Sequence, residues 1–174
     1  MRSRVRIFRH PLHPMLVVFP TAIFPLLLFL DALRALGAAI GPSVPFWLAV
    51  AGVATTLAAI VPGVIDLAAI PDRSRAHRVA FVHFVVGTVT LAAYAAAAWT
   101  RWPAGPDRVG LALGIDVVGV LLVGAQGFLG GELVYRHHLG VLKEAEGAEP
   151  TDFEPPGAAP SPRHGAIGEG ARRR

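Results

Sequence analysis

Four apolar stretches dominate this sequence, the fourth with Asp116 and Glu132 inside it, and each is long enough to cross a bilayer, which takes about 20 helical residues. They cover residues 15–36, 46–70, 79–100 and 109–136. No charge falls between residues 16 and 30, and none between residues 35 and 65. The runs are continuous rather than alternating and rich in Ala and Leu, which argues for helices over strands. Backbone groups in lipid must find their partners within the protein. The expected fold is therefore an all-α membrane protein, a bundle of four transmembrane helices. The connections are short, and the last carries Trp102-Pro103 and Gly105-Pro106 breaks. Loops of this length make sequential helices antiparallel neighbours.

The charges fit that picture. Soluble domains are about 25% charged, whereas this chain of 174 residues is 16% charged and 53% hydrophobic. Its pI near 10.6 raises the question of a nucleic-acid partner. However, Arg2, Arg4, Arg6 and Arg9, and the closing Arg172, Arg173 and Arg174, are neither interleaved with aromatics nor carried on an amphipathic helix. They read as topology signals, and no nucleic-acid partner is expected. The N-terminal arginines, Arg73, Arg75 and Arg78, and the basic residues of the C-terminal segment fall on one side, against Arg34, Arg101 and Arg108 on the other. The positive-inside rule then places both termini in the cytoplasm, in a multi-pass protein of the inner (cytoplasmic) membrane. The first run exceeds a signal-peptide core of about 7–15 residues and ends in Asp31 and Arg34, so it reads as a span rather than a cleaved leader. Residues 1–143 form the membrane domain. Residues 144–174 turn to Glu, Pro, Gly and Ala with no apolar run, the composition of a disordered cytoplasmic tail.

Helical spacing sorts the polar residues onto one face per span. Asp31, Leu27, Phe24, Pro20, Val17, His13 and His10 form a stripe on the first, with Pro11 and Pro14 making its His end a non-helical lead-in. Thr55, Ala59, Pro62 and Asp66 share a face of the second; His83, Gly87, Thr90 and Tyr94 of the third; Asp116, Gly119, Val123, Gly127 and Gly130 of the fourth. Small residues on these faces let helix backbones approach closely. Depth then separates two layers. Asp31, Arg34 and Asp116 lie towards the far side and are expected to form a structural ion pair, since intramembrane charges pair. His10, His13, Asp66, His77, His83, Glu132, His137 and His138 lie towards the side of the termini. His83, about 6 Å inside its span, is costly there without a partner.

The absence of cysteine excludes disulfides, iron–sulfur clusters, thiolate zinc sites, attached c-type haem and thiol nucleophiles. Serine occurs only at positions 3, 43, 74 and 161, and there is no GxSxG and no P-loop. An electron-transfer or structural component is thus expected rather than an enzyme. A helical bundle can hold haem b through imidazoles on different helices, and His13, His83 and His137 are the candidate ligands. A metal ion held by His10, His13, Asp66, His83, Glu132 and His137 is the second reading. A non-catalytic assembly subunit and a small-solute or proton carrier are the others. Substrate, redox partner and oligomeric state are open, and a homo-oligomer is among the expectations.

The segment from His10 to Asp31, HPLHPMLVVFPTAIFPLLLFLD, resembles the start of the domain-of-unknown-function 2231 family of bacterial four-helix membrane proteins. VPGVIDLAAIP, from Val61 to Pro71, resembles the end of that family's second helix, and GFLGGELVYRHHLGV, from Gly127 to Val141, its closing signature. The resemblance marks His10, His13, Pro14, Pro20, Asp31, Asp66, His83, Gly130, Gly131, Glu132, Tyr135 and His137. Phe128, His138 and Gly87 depart from the pattern, the last standing where an Asn often follows the third-helix His. Apparent fusions of some members to Rieske-type domains imply redox work and a Rieske-type partner.

Overall fold

The computed structural model describes residues 3–8, 10–105 and 108–140; the expected tail at 144–174 lies outside them. A short hairpin, β1 (Arg6–Ile7) and β2 (His10–Pro11), pairs Arg6 with Pro11 and Ile7 with His10. The bundle follows as α1 (Leu12–Leu16), α2 (Val18–Ala35), α3 (Ser43–Leu67), α4 (Arg75–Thr100) and α5 (Val109–Gly131), and a π-helical turn covers Glu132–Arg136. Four spans are long and apolar enough to cross a membrane: Leu12–Ala35, Ser43–Leu67, Arg75–Thr100 and Val109–Arg136. α3 packs on α2 and α4, and α5 packs on α4 and α2, which closes a four-membered ring.

The helix ends differ from expectation for reasons of capping. Pro14 and Pro45 each stand in a first helical turn, where a missing N–H costs nothing, so α1 begins at Leu12 and α3 at Ser43. His13 is therefore helical rather than part of an extended lead-in. Ser74 caps α4 by accepting the His77 N–H at 2.9 Å, which moves that start to Arg75. His83 then sits about 12 Å along the helix, deeper than the sequence suggested. Pro20 cannot donate to Leu16, which interrupts the helical hydrogen bonds at Val17 between α1 and α2, although the backbone stays helical there and Leu12–Ala35 runs as one span.

Side chains outside the bundle are as apolar as those within, as lipid contact requires. Phe19, Phe29, Leu57, Phe81, Leu121 and Phe128 are all exposed. Trp47, Trp99 and Trp102 cluster at the far end, where amphipathic rings suit a membrane–water boundary, and Arg108 stacks 4.6 Å over Trp99. Inside, Ile23, Phe24, Leu27, Ala49, Tyr94, Ala97 and Val123 form the core. The Phe24 and Tyr94 rings stack with centroids 3.8 Å apart. Gly52 and Gly119 make this possible, since a β-carbon at either position would overlap the Tyr94 or the Phe24 ring. The Tyr94 hydroxyl donates to the Pro20 carbonyl.

Candidate functional site

The inward stripes organise two polar layers with the Phe24–Tyr94 packing between them. At the far end Asp31 and Asp116 are 0% exposed, and the guanidinium that joins them belongs to Arg101, 3% exposed. Its Nε donates to Asp31 Oδ2 at 2.8 Å, one terminal nitrogen reaches both Asp116 oxygens at 2.6 Å, and the other donates to Ala97 O at 2.8 Å. Arg34 donates to Asp31 Oδ1 at 2.7 Å and to Ile40 O at 3.1 Å. The expected Asp31, Arg34 and Asp116 are thus brought together, but through a residue assigned to a loop. Among the described residues two carboxylates face two guanidinium groups, a balance of charge that such surroundings require. The signal for Arg101 was present: it continues the helical face of Thr90, Tyr94 and Ala97.

The other layer lies near the termini. His13, from α1, donates Nδ1–H to the Ala59 carbonyl of α3 at 2.7 Å. A carbonyl only accepts, so this bond places a proton on Nδ1, and the neutral ring held this way carries its lone pair on Nε2. Gly63 is required there, because a β-carbon would stand 2.9 Å from His13 Nδ1. The His13 and His83 rings lie 6.0 Å apart, centroid to centroid, at an interplanar angle of 83°. His83 Nδ1 is the one buried side-chain nitrogen or oxygen without a hydrogen-bond partner among the described residues. Gln126 of α5 crosses to α4 and donates to the His83 backbone carbonyl at 2.9 Å. It occupies the space that Gly87 leaves open, where a β-carbon would stand 2.7 Å from its amide nitrogen. Gln126 is the only amide side chain in the sequence, and that rarity inside a span could have found it.

His13, His83 and Gln126 line a cavity of about 520 Å³ at the terminal half of the bundle. Its wall is otherwise mainly aliphatic, and its threonine hydroxyls are spent on their own helices: Thr21 on Val17 O, Thr56 on Gly52 O and Thr90 on Val86 O. A predominantly apolar pocket with a few convergent polar groups is the usual form of a small-molecule site. The inward residue of α3 here is Thr56, with Thr55 turned aside and bonded to Ala51 O at 2.7 Å.

The remaining candidates are elsewhere. Asp66 borders the cavity but accepts the Ser3 hydroxyl and the Arg4 N–H, each at 2.7 Å. His10 pairs with Phe8 O at 2.9 Å in the hairpin. Glu132 pairs with Arg136 at 2.9 Å along the π turn. His137 caps that turn, half-buried, with its N–H on Glu132 O at 3.3 Å, and neither it nor Glu132 lines the cavity. Among the described residues no three His, Asp or Glu side chains come together as a metal ion would need. Of His10, His13, Asp66, His83, Glu132 and His137, the structure pairs only the rings of His13 and His83.

Comparison with known proteins adds to this. No curated relative and no solved structure matches the chain. A family model described as "Predicted membrane protein (DUF2231)" matches residues 9–143, which include every helix and both polar layers. This chain belongs to that family of predicted membrane proteins.

Proposed function

We propose that this protein is a membrane electron-transfer module that holds one b-type haem between His13 and His83. The observation that carries the reading is the 6.0 Å separation of these two rings, supplied by different helices in the wall of one cavity. Metal–imidazole bonds are about 2.0–2.1 Å, so two imidazoles on opposite sides of one metal have centroids on the order of 6 Å apart. A free ion would want three or four protein ligands, whereas a porphyrin brings its own four nitrogens and needs two axial residues. The Ala59 bond further supports the reading, because a histidine oriented by a carbonyl presents Nε2 as a ligand. In this reading His137 is not a ligand, the protein sits in the inner (cytoplasmic) membrane with both termini in the cytoplasm, and a Rieske-type protein is a candidate electron partner. The carrier alternative meets an obstacle in the stacked Phe24–Tyr94 layer beyond the cavity.

The test is an absorption spectrum of detergent-purified protein from haem-supplied cells, oxidised and then dithionite-reduced, with metal analysis of the same sample. A Soret band that sharpens and shifts on reduction, and that His83→Ala and His13→Ala each abolish, is expected. A colourless protein refutes haem. If that protein is also metal-free, the assembly-subunit alternative stands.

A further inference from the structure

The cavity has two borders of opposite character. Towards the termini it is covered by the segment before α1. Ser3 Oγ–H and Arg4 N–H both donate to Asp66, in the last turn of α3. Arg6 Nε donates to Ser3 O at 2.7 Å, and Leu12 N–H to Val5 O at 3.0 Å, so the segment is stitched to itself as well as to the bundle. Ser3 and Asp66 themselves line the cavity.

The flank is different. After the break at Val17, α1 packs chiefly on α3, while α2 carries the contact with α5. Pro14 and Thr21 on helix one, and Gly127 and Tyr135 on the facing helix, line the cavity and are exposed at the same time. At Gly127 an added β-carbon would have nothing within 4 Å, which is open space in a cavity wall. Thr21 and Gly127 both fall inside apolar spans, Thr21 about 14 Å from the start of its own. An opening at that depth faces hydrocarbon rather than water.

We propose that the cavity takes its ligand sideways from the bilayer, through the gap between helix one and α5, and that the Asp66 clasp keeps its terminal end closed to water. The ligand class is therefore a lipid-soluble molecule: an apolar body that partitions into the bilayer, with a polar or metal-bearing centre that meets His13, His83 and Gln126. The proposal rests on reading this cavity as a binding site, and its test does not require haem.

The cysteine-free sequence supplies a clean background for that test. Thr56→Cys, which is smaller by one methyl group, places a thiol in the cavity wall. In lipid nanodiscs its labelling by N-phenylmaleimide, which is lipid-soluble, is compared with labelling by a charged trimethylammonium-ethyl thiosulfonate. Each rate is normalised to a cysteine at the exposed Gly41. Phenylmaleimide is expected to react faster by about tenfold or more, and Gly127→Trp to slow it by a similar factor. Asp66→Ala, with Ser3→Ala as the milder variant, is expected to raise charged-reagent labelling about tenfold, equivalent to about 1.4 kcal/mol of closure. Circular dichroism confirms that each variant is folded. Equal normalised rates for the two reagents with Asp66 and Ser3 intact, or no phenylmaleimide labelling, overturns the proposal. A charged-reagent rate indifferent to both Asp66→Ala and Ser3→Ala overturns the clasp. A missing Soret band refutes the haem reading and leaves these rates unaffected.

Discussion

Arg101→Ala is the most informative perturbation of the fold. The guanidinium holds Asp31 Oδ2, both Asp116 oxygens and the Ala97 carbonyl, and both carboxylates are 0% exposed. Removing it leaves Asp116 with no cation and Asp31 with Arg34 alone among the pairs seen here. Hydrogen bonds to charged groups contribute about 1.5–3 kcal/mol each, but they largely offset the desolvation of the same groups and do not sum. The relevant quantity is the cost of stranding a buried charge, about 3–5 kcal/mol. That is roughly two to three and a half orders of magnitude in the folding equilibrium. The assay is SDS titration of the protein in mixed micelles, followed by far-ultraviolet circular dichroism. Arg101→Lys should recover part of the loss, since an ammonium keeps the charge but not the fork that reaches two carboxylates. The double variant Arg101→Met, Asp116→Asn, which removes one charge of each sign and keeps the Arg34–Asp31 pair, should lie within about 1–2 kcal/mol of wild type. A loss below about 1 kcal/mol for Arg101→Ala would show that water reaches these carboxylates and that the layer is not the lock described here.

The packing layer makes sharper distinctions. Gly119→Leu should destabilise by at least about 1–3 kcal/mol, because its side chain must displace the Phe24 ring. Gly110→Ala and Gly114→Ala, where a β-carbon meets open space, should leave stability unchanged or raise it by at most about 1 kcal/mol in the same titration. Tyr94→Phe keeps the stack on Phe24 and loses only the bond to Pro20, costing about 0.6–1.5 kcal/mol, against about 3–5 for Tyr94→Ala. Gln126→Leu should cost about 1 kcal/mol in stability, and a haem-loaded protein should show a shifted reduced spectrum as α4 relaxes around His83. An unshifted spectrum would show that the Gln126 bond does not position that ring.

The fold was legible because four long apolar runs leave a chain few alternatives, and the inward faces were legible because small and polar residues recur at helical spacing. On α2 the spacing selected Pro20, Phe24, Leu27 and Asp31, and all four are buried. Two of the errors at helix starts share one cause: Pro14 and Pro45 look like breakers in a sequence but are harmless in a first turn, whereas the early start of α4 comes from the Ser74 cap. The site was half legible. His13 and His83 could be paired because each was an imidazole on an inward stripe. Arg101 was hidden by the Trp102-Pro103 break beside it, which made a buried cation look like part of a loop. The partners of Asp66 were out of reach for a different reason. Ser3 and Arg4 lie more than sixty residues away and meet it through the curl of a hairpin, which no local periodicity encodes. Gln126 answers Gly87 in the same long-range way.

The far-end charges also bear on how the chain enters a bilayer during synthesis. Arg34 neutralises Asp31 three residues away on the same helix, and Arg101 neutralises Asp116 across the turn that joins α4 to α5. Helix one and the α4–α5 hairpin are therefore each uncharged at that end as separate inserting units, and α3 carries no charge until Asp66 near its close. An unpaired Asp or Arg at mid-membrane would add about 2.5–3.5 kcal/mol to insertion. No unit needs another in place before it can cross. The Arg101–Asp31 contact, which joins the two neutral pairs, forms only when the units meet, so the order of biogenesis is expected to be insertion first and locking last.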